Sequence, residues 1–193
     1  MRKIIASILI SGLVLGLGSL VGVLVVKAAD TTLTQTVTAG ALTVSAPASV
    51  TFGAVDYSFT GQTSSGNTLD NIQPSDKRGS EAGWTVVATC TDWTKGADTM
   101  DYDGNGTTTG QLTINQGSVT VSKTAGQDID PTNGPIKGTT DSFDAVTTEI
   151  TILTASASYG EGEYDADGYD LQQYIPGMTN AGDWTTTLTI TIS

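Results

Sequence analysis

Apolar and polar residues alternate with a period of two along most of the chain after position 30. Such alternation places apolar side chains on one face of a strand and polar side chains on the other. In the final segment, Leu188, Ile190 and Ile192 share one face and the intervening threonines share the other, which is typical of a half-buried antiparallel strand. The same pattern predicts strands over residues 32–38, 41–45, 84–91, 112–114, 119–121, 149–154 and 184–192.

Stretches rich in Gly, Asp, Asn and Ser lie between the alternating segments and predict turns or loops. They cover residues 60–67, 98–110, 124–140 and 159–169. No window has a sustained helical period, and the 34 threonines strengthen the preference for strands. We therefore predict an all-β fold, a single antiparallel β-sandwich or open barrel over residues 41–193, preceded by a strand segment or linker at residues 29–40.

The first 28 residues have the pattern of a secretory signal peptide. Arg2 and Lys3 precede a mostly apolar run over residues 4–26, and small residues follow at 28 and 29. An uncleaved membrane anchor is the alternative, because a run of this length can span a bilayer. Cleavage before Asp30 would leave five cationic residues against 20 acidic ones, a formal net charge of −15. We expect a secreted protein that is retained at the cell surface non-covalently, because no hydrophobic tail follows the last predicted strand.

Composition narrows the functional classes. The chain has no His and one Cys, which excludes His-dependent catalytic triads, His-ligated zinc, cysteine metal clusters and an intramolecular disulfide. The net charge of −12 for the whole chain argues against nucleic-acid binding, which requires basic surfaces. We therefore expect neither enzymatic activity nor a tightly bound cofactor.

Residues 101–106 match the start of a calcium-binding loop. Asp101, Asp103 and Asn105 place oxygen ligands at alternate positions, and glycines supply the sharp turn. The twelfth position of the loop is Leu112, where a bidentate Glu is required, and strand patterns flank the segment. A weak calcium site, with a dissociation constant of about 0.1–1 mM, therefore competes with a solvated hairpin turn.

A second acidic segment covers residues 160–170 and holds five carboxylates: Glu161, Glu163, Asp165, Asp167 and Asp170. Paired carboxylates can hydrolyse glycosidic bonds, but one of them must sit in a dry, rigid pocket that raises its pKa. The surrounding glycines instead predict a solvated loop.

Arg78 lies in the sequence Asp76-Lys-Arg-Gly79, just before Trp84. An arginine can hold the carboxylate of an anionic glycan or peptide in a bidentate pair, which makes Arg78 a candidate ligand-binding residue. The alternative is a turn in which Arg78 pairs with Asp76 or another nearby acid.

Trp84, Trp93 and Trp184 are further candidates for ligand binding, because exposed aromatic rings dominate binding energetics. Alternation places Trp84 on the same face as Val86, Ala88 and Cys90, which favours a core position. Trp93 has the opposite parity, and we predict that its ring is exposed. Cys90 is predicted to be a buried, unreactive thiol.

Several segments, in order, resemble the WxL domain of Gram-positive cell-surface proteins. The resemblance covers residues 41–193, and its central block is Asp76-Lys-Arg-Gly79 followed by Gly83-Trp-Thr-Val86. Two features depart from the family pattern: Ile190-Thr-Ile192 replaces the second W-x-L, and Trp184 stands where the family has Tyr. Further similar segments are residues 41–44, 50–53, 112–115, 155–162, 171–176 and 181–192.

This resemblance implies a secreted β-sheet domain that binds peptidoglycan or another cell-wall polymer, alone or with other wall-associated surface proteins. A structural subunit or adhesin component that assembles by β-strand addition is the competing hypothesis. In that hypothesis, the alternating residues 31–38 would be the donor strand.

Overall fold

A computed structural model of the chain describes residues 31–103 and 110–193, in which strands alternate with turns and no helix is present. Within these two ranges, no helix is available that could cross a membrane. The strands are β1 (Leu42–Ser45), β2 (Gln62–Leu69), β3 (Gln73–Asp76), β4 (Trp84–Cys90), β5 (Trp93–Lys95), β6 (Asp98–Met100), β7 (Leu112–Asn115), β8 (Thr120–Gly126), β9 (Ile136–Lys137), β10 (Asp141–Ser142), β11 (Ile150–Ala155), β12 (Gly162–Asp167), β13 (Tyr169–Ile175) and β14 (Leu188–Ile192).

The strands form three four-stranded sheets and one hairpin, and every strand pair is antiparallel. The first sheet has the order β1-β3-β12-β8, the second β10-β7-β13-β2 and the third β14-β4-β11-β9. The hairpin pairs β5 with β6. The predicted all-β antiparallel fold is confirmed: the sheets pack together as in a β-sandwich, and the described residues form no closed barrel.

The core lies between the sheets and is built by the alternation that the sequence displays. In β4, Trp84, Val86, Ala88 and Cys90 are buried and the residues between them are partly exposed, as predicted. Cys90 is buried as predicted, and burial raises the pKa of its thiol. The largest side chains that are almost completely buried are Tyr164, Tyr169, Phe143, Ile72, Leu112, Ile114, Ile152 and Leu153.

Two segments predicted to be turns are strands. Residues 60–67 lack alternating β-branched residues, yet most of them belong to β2, because pairing with β13 buries Ser64, Asn67 and Leu69. Most of residues 159–169 form β12, where Tyr164 and Ala166 are buried. The alternate positions 163, 165 and 167 hold acidic residues. The prediction of a solvated acidic loop is therefore wrong: the segment alternates with period two, but its polar positions are acidic rather than Thr.

The N-terminal strand predicted over residues 32–38 is wrong for the described chain. Residues 31–40 form no strand and are exposed, and Leu33 and Val37 are each 90% exposed. Alternation alone does not make a strand, because backbone groups need a pairing partner. The compact unit that contains the sheets extends from Thr38 to Ser193.

A glycine just before β4 gives a test of how tightly the third sheet packs. Gly83 has φ of 73°, and a Cβ at this position would lie 2.5 Å from the carbonyl oxygen of Ala155. Gly96 has a similar φ of 61°, but its Cβ would meet open space. We expect Gly83→Ala to lower the free energy of unfolding by about 1–3 kcal/mol more than Gly96→Ala. Both variants place alanine at a positive φ, but only Gly83→Ala forces a methyl group against neighbouring backbone atoms. Urea unfolding of the two variants measures this difference, and equal losses would contradict it.

Candidate functional site

A polar cleft of about 540 Å³ lies where the β5–β6 hairpin meets the segment that leads into β14. Two backbone hydrogen bonds between Thr94 and Thr185, of 2.8 and 3.0 Å, fix the hairpin to this segment. We call this site the Trp184 cleft. Its lining residues are Ala97, Asp98, Thr99, Met100, Asp101, Pro176, Met178, Thr179, Asn180 and Trp184.

The half-buried Trp184 ring is held in a fixed orientation within the cleft. Its Nε1 donates a hydrogen bond of 3.0 Å to the carbonyl oxygen of Asn180. The Nζ atom of Lys95 lies 5.3 Å from the centroid of the ring, which is a cation–π distance. Because the indole nitrogen and one face of the ring each have a partner, the opposite face is positioned before any ligand arrives.

The polar groups around Trp184 are bound to one another. Lys95 Nζ lies 3.5 Å from Asp98 Oδ2 and donates a hydrogen bond of 3.1 Å to the carbonyl oxygen of Ala181. Asn180 Nδ2 donates to Asp98 Oδ2 over 3.1 Å. The cleft therefore combines one aromatic ring with fixed carboxylate, amide and hydroxyl groups, a combination that suits a ligand with both apolar and hydroxylated faces.

Sequence reasoning identified Trp184 but missed Lys95, Asp98 and Asn180. None of these three residues belongs to a recognisable sequence motif. Their side chains come together only because the β5–β6 hairpin pairs with residue 185. Gly182 is a nearby residue whose type reflects this arrangement. Its φ is 135°, and a Cβ at this position would lie 2.9 Å from Cδ of Lys95, so a glycine lets the Lys95 side chain approach Trp184.

Comparison of the chain with protein-family models, with curated proteins and with solved structures finds no match.

The prediction that Trp93 is exposed is wrong. Trp93 is only 4% exposed, its Nε1 donates to the carbonyl oxygen of Gly110 over 3.0 Å, and its ring packs edge-to-face on Phe52. β4 ends at Cys90 and β5 begins at Trp93, so the two residues between the strands reset the alternation. Trp84 is buried as predicted and donates to the carbonyl oxygen of Gly160 over 2.9 Å. Neither ring is on the surface to contact a ligand.

Arg78 adopts the structural alternative that its sequence context offered. Its Nε and one terminal nitrogen bind the two carboxylate oxygens of Asp76 at 3.0 and 2.9 Å, and the same terminal nitrogen donates to the carbonyl oxygen of Gly83 over 2.6 Å. Asp76 is buried, and hydrogen bonding to Arg78 lowers the pKa of its carboxyl group. The guanidinium therefore closes the turn before β4. The two nitrogens that could hold a ligand carboxylate in a bidentate pair already bind Asp76.

The calcium prediction is only partly covered by the structure. Asn105 lies outside the described residues, whereas Asp101 and Asp103 are described. The amide of Asp103 donates to Asp101 Oδ1 over 3.2 Å, and a hydrogen bond with Asp101 raises the pKa of the Asp103 carboxyl group. Across residues 31–103 and 110–193, no group of three or more His, Cys, Asp or Glu side chains is placed to hold a metal ion. Calcium binding stays a prediction.

Four of the five carboxylates of residues 160–170 bind backbone amides or a lysine of neighbouring segments. Asp167 accepts a hydrogen bond of 2.7 Å from the amide of Asn71, and Asp170 accepts one of 3.0 Å from the amide of Gly66. Glu161 accepts one of 2.9 Å from the amide of Glu81, and Glu163 pairs with Lys77 at 2.5 Å. These four acids join neighbouring strands and turns. Glu163 also lines a second cleft of about 460 Å³ together with Lys77. The fifth acid, Asp165, has a buried Oδ1 with no hydrogen-bond partner among the described residues.

The Asp76–Arg78 pair generates a pH-dependent prediction. The pKa of Asp76 is lower in the folded state than in the unfolded chain, so its ionised carboxylate stabilises the fold. This contribution to the free energy of unfolding is complete above the unfolded pKa of about 3.9 and is lost as the pH falls through the folded pKa. We expect Asp76→Asn to lower the free energy of unfolding at pH 7 by about 1–3 kcal/mol, and this deficit to shrink below about pH 4. Urea unfolding at several pH values measures it.

Asp128→Asn is the matched control. Asp128 also pairs with a cation, Lys123, but its side chain is 93% exposed. We expect no measurable loss of stability, because solvent screens an exposed pair. A deficit at Asp76→Asn that did not change with pH would contradict the role assigned to the buried carboxylate.

Proposed function

We propose that the protein is secreted and attaches non-covalently to the cell wall by binding peptidoglycan at the Trp184 cleft. The observation that carries this proposal is the fixed Trp184 ring among polar groups that include Asp98 and Asn180. A sugar ring has apolar C–H faces that pack on an aromatic ring and hydroxyl or amide edges that need hydrogen-bond partners. A glycan is therefore the class of wall component that uses both features of the cleft.

The sequence supports the same location. The signal-peptide pattern at residues 1–28 indicates export, and the resemblance of residues 41–193 to WxL domains implies attachment to the wall. The departures from the family pattern do not affect the cleft, because Trp184 occupies the position where the family has Tyr and remains aromatic. The half-buried Ile190 and Ile192 keep the last strand on the core.

The proposal predicts that the chain from Asp30 onward, which retains the compact unit Thr38–Ser193, sediments with purified peptidoglycan in a saturable way. We expect Trp184→Ala to weaken binding about fivefold, because one aromatic stacking contact is worth roughly 1 kcal/mol. Val146→Ala is the control, since Val146 is exposed and lies outside the cleft. Unfolding midpoints establish that both variants are folded. Unchanged sedimentation of a folded Trp184→Ala variant would contradict the proposed site.

The same assay with and without calcium tests the sequence motif at residues 101–106. Asp101 also lines the Trp184 cleft, so a bound cation would affect glycan binding directly. A calcium requirement that Asp103→Asn removes would assign these residues to a metal site.

A second candidate function is assembly with partner surface proteins by β-strand addition, and the position of β14 at the edge of its sheet favours it. Thr85 and Ser193 exchange two backbone hydrogen bonds, so alternation directs the backbone groups of residues 189 and 191 toward β4. The backbone groups of Leu188, Ile190 and Ile192 then face away from β4, where the described chain pairs no further strand. β1 lies close to β14 without pairing with it, so an added strand would have to displace β1 or enter beside it. Residues 31–38, which pair with no strand in the part of the chain that the structure describes, have the alternation that a donor strand requires.

Strand addition predicts that deleting residues 31–38 abolishes assembly, measured by light scattering, while leaving the unfolding midpoint unchanged. Thr34→Pro should act like the deletion, because proline cannot donate a backbone hydrogen bond to a sheet. Thr34→Ser is the conservative control and should assemble normally. Assembly that persists in the deletion variant would exclude residues 31–38 as the donor.

A further inference from the structure

Several large apolar side chains are exposed beside the Trp184 cleft. Tyr57 is 58% exposed and Phe59 is 79% exposed, and their rings pack edge-to-face with centroids 5.5 Å apart. Val55, on the same loop, and Met178, which lines the cleft, are also exposed. We call Val55, Tyr57, Phe59 and Met178 the apolar ledge. Clustered exposed apolar groups of this kind mark binding surfaces.

The ledge is held in place by backbone contacts. The amide of Met178 donates a hydrogen bond of 2.8 Å to the carbonyl oxygen of Ser58, which lies between the two aromatic residues. A Cβ at position 177 would lie 2.6 Å from the carbonyl oxygen of Phe59, so glycine is required for this approach. Gln62 Nε2 also donates to the carbonyl oxygen of Asp56 over 2.6 Å. The aromatic side chains therefore project from a fixed backbone, which reduces the entropy lost on binding.

Met178 connects the ledge to the cleft. It is 66% exposed and has φ of 63°, in a region that non-glycine residues rarely occupy. Because the side chain is exposed, buried apolar contacts do not offset this backbone strain. Strained positions of this kind cluster at binding sites. Since Met178 is both bonded to Ser58 and part of the cleft lining, the ledge and the cleft form one continuous surface.

We propose that this surface binds an uncharged glycan chain along its length, with some sugars on the ledge and others in the Trp184 cleft. The inference rests on the proposed function and specifies its ligand. The aromatic rings of Tyr57 and Phe59 offer apolar faces to sugar rings beyond those that Trp184 can reach. A single sugar would leave the ledge uncovered, so the surface fits an oligosaccharide.

The negative charge of the cleft favours an uncharged polymer over an anionic one. The cleft contains the carboxylates of Asp98 and Asp101, and the nearby cation Lys95 is already paired with Asp98. An anionic wall polymer would bring phosphates or carboxylates against these groups, at an energetic cost that low ionic strength increases. N-acetylglucosamine carries no charge and offers amide and hydroxyl groups to Asn180 and Asp98.

The test compares β-1,4-linked N-acetylglucosamine oligomers of two and six sugars, titrated by calorimetry into the chain from Asp30 onward. We expect the hexamer to bind more tightly than the dimer. The double variant Tyr57→Ala/Phe59→Ala should weaken hexamer binding about tenfold or more and leave dimer binding unchanged. Trp184→Ala should weaken both, and Val146→Ala neither. Because Tyr57 and Phe59 are exposed, the double variant should keep the wild-type unfolding midpoint.

The outcomes separate this inference from the proposed function. Equal effects of the double variant on dimer and hexamer, tighter binding of a purified anionic teichoic acid, or sedimentation with peptidoglycan without hexamer binding would overturn the inference while leaving wall attachment intact. A chain that bound neither peptidoglycan nor the oligomers would overturn both. In that case, loss of a surface-protein complex in the double variant would identify the ledge as a protein interface.

Discussion

The pairing of β4 with its two neighbours is the constraint on which the rest of the structure depends. β4 lies inside the third sheet between β11 and β14, and its buried Trp84, Val86, Ala88 and Cys90 supply one side of the core. Without disulfides, the chain relies on such ladders and on apolar burial to join distant segments. The salt bridge of Asp76 with Arg78 closes the turn that leads into this strand, and Gly83 lets the backbone pass close to Ala155.

The register of β14 on β4 also determines where the candidate site forms. Leu188 pairs with Cys90, and the residues before β14 then continue alongside those that follow β4. This continuation brings Thr185 to Thr94 and places Trp184 next to Lys95. A shift of one residue in this register would exchange the faces of β14 and expose Ile190. Core packing and site geometry are therefore set by the same ladder.

The sequence predicted the fold class and the faces of its most regular strands, because burial on one side of a sheet imposes a period of two. It failed where pairing partners decided the outcome. β2 is a strand because it lies against β13, whereas residues 32–38 alternate but pair with no strand of the described chain. Trp93 was misplaced because parity does not continue across the break between β4 and β5. Of the candidate site, Trp184 and Asp101 could be named from the sequence, whereas Lys95, Asp98 and Asn180 could not, since they meet through long-range pairing.

The acidic composition acquires a more specific meaning from the structure. Many carboxylates, such as those of Asp76, Asp167 and Asp170, accept hydrogen bonds from backbone amides or Arg78 and so stabilise turns and strand contacts. Their charge remains after these bonds form, and few cations offset it. A surface with this excess of negative charge disfavours polyanions throughout, so the proposed affinity for a wall polymer has to come from apolar contact and neutral hydrogen bonds. The exposed rings of Tyr57 and Phe59, next to the half-buried Trp184, are the described groups best suited to provide that contact.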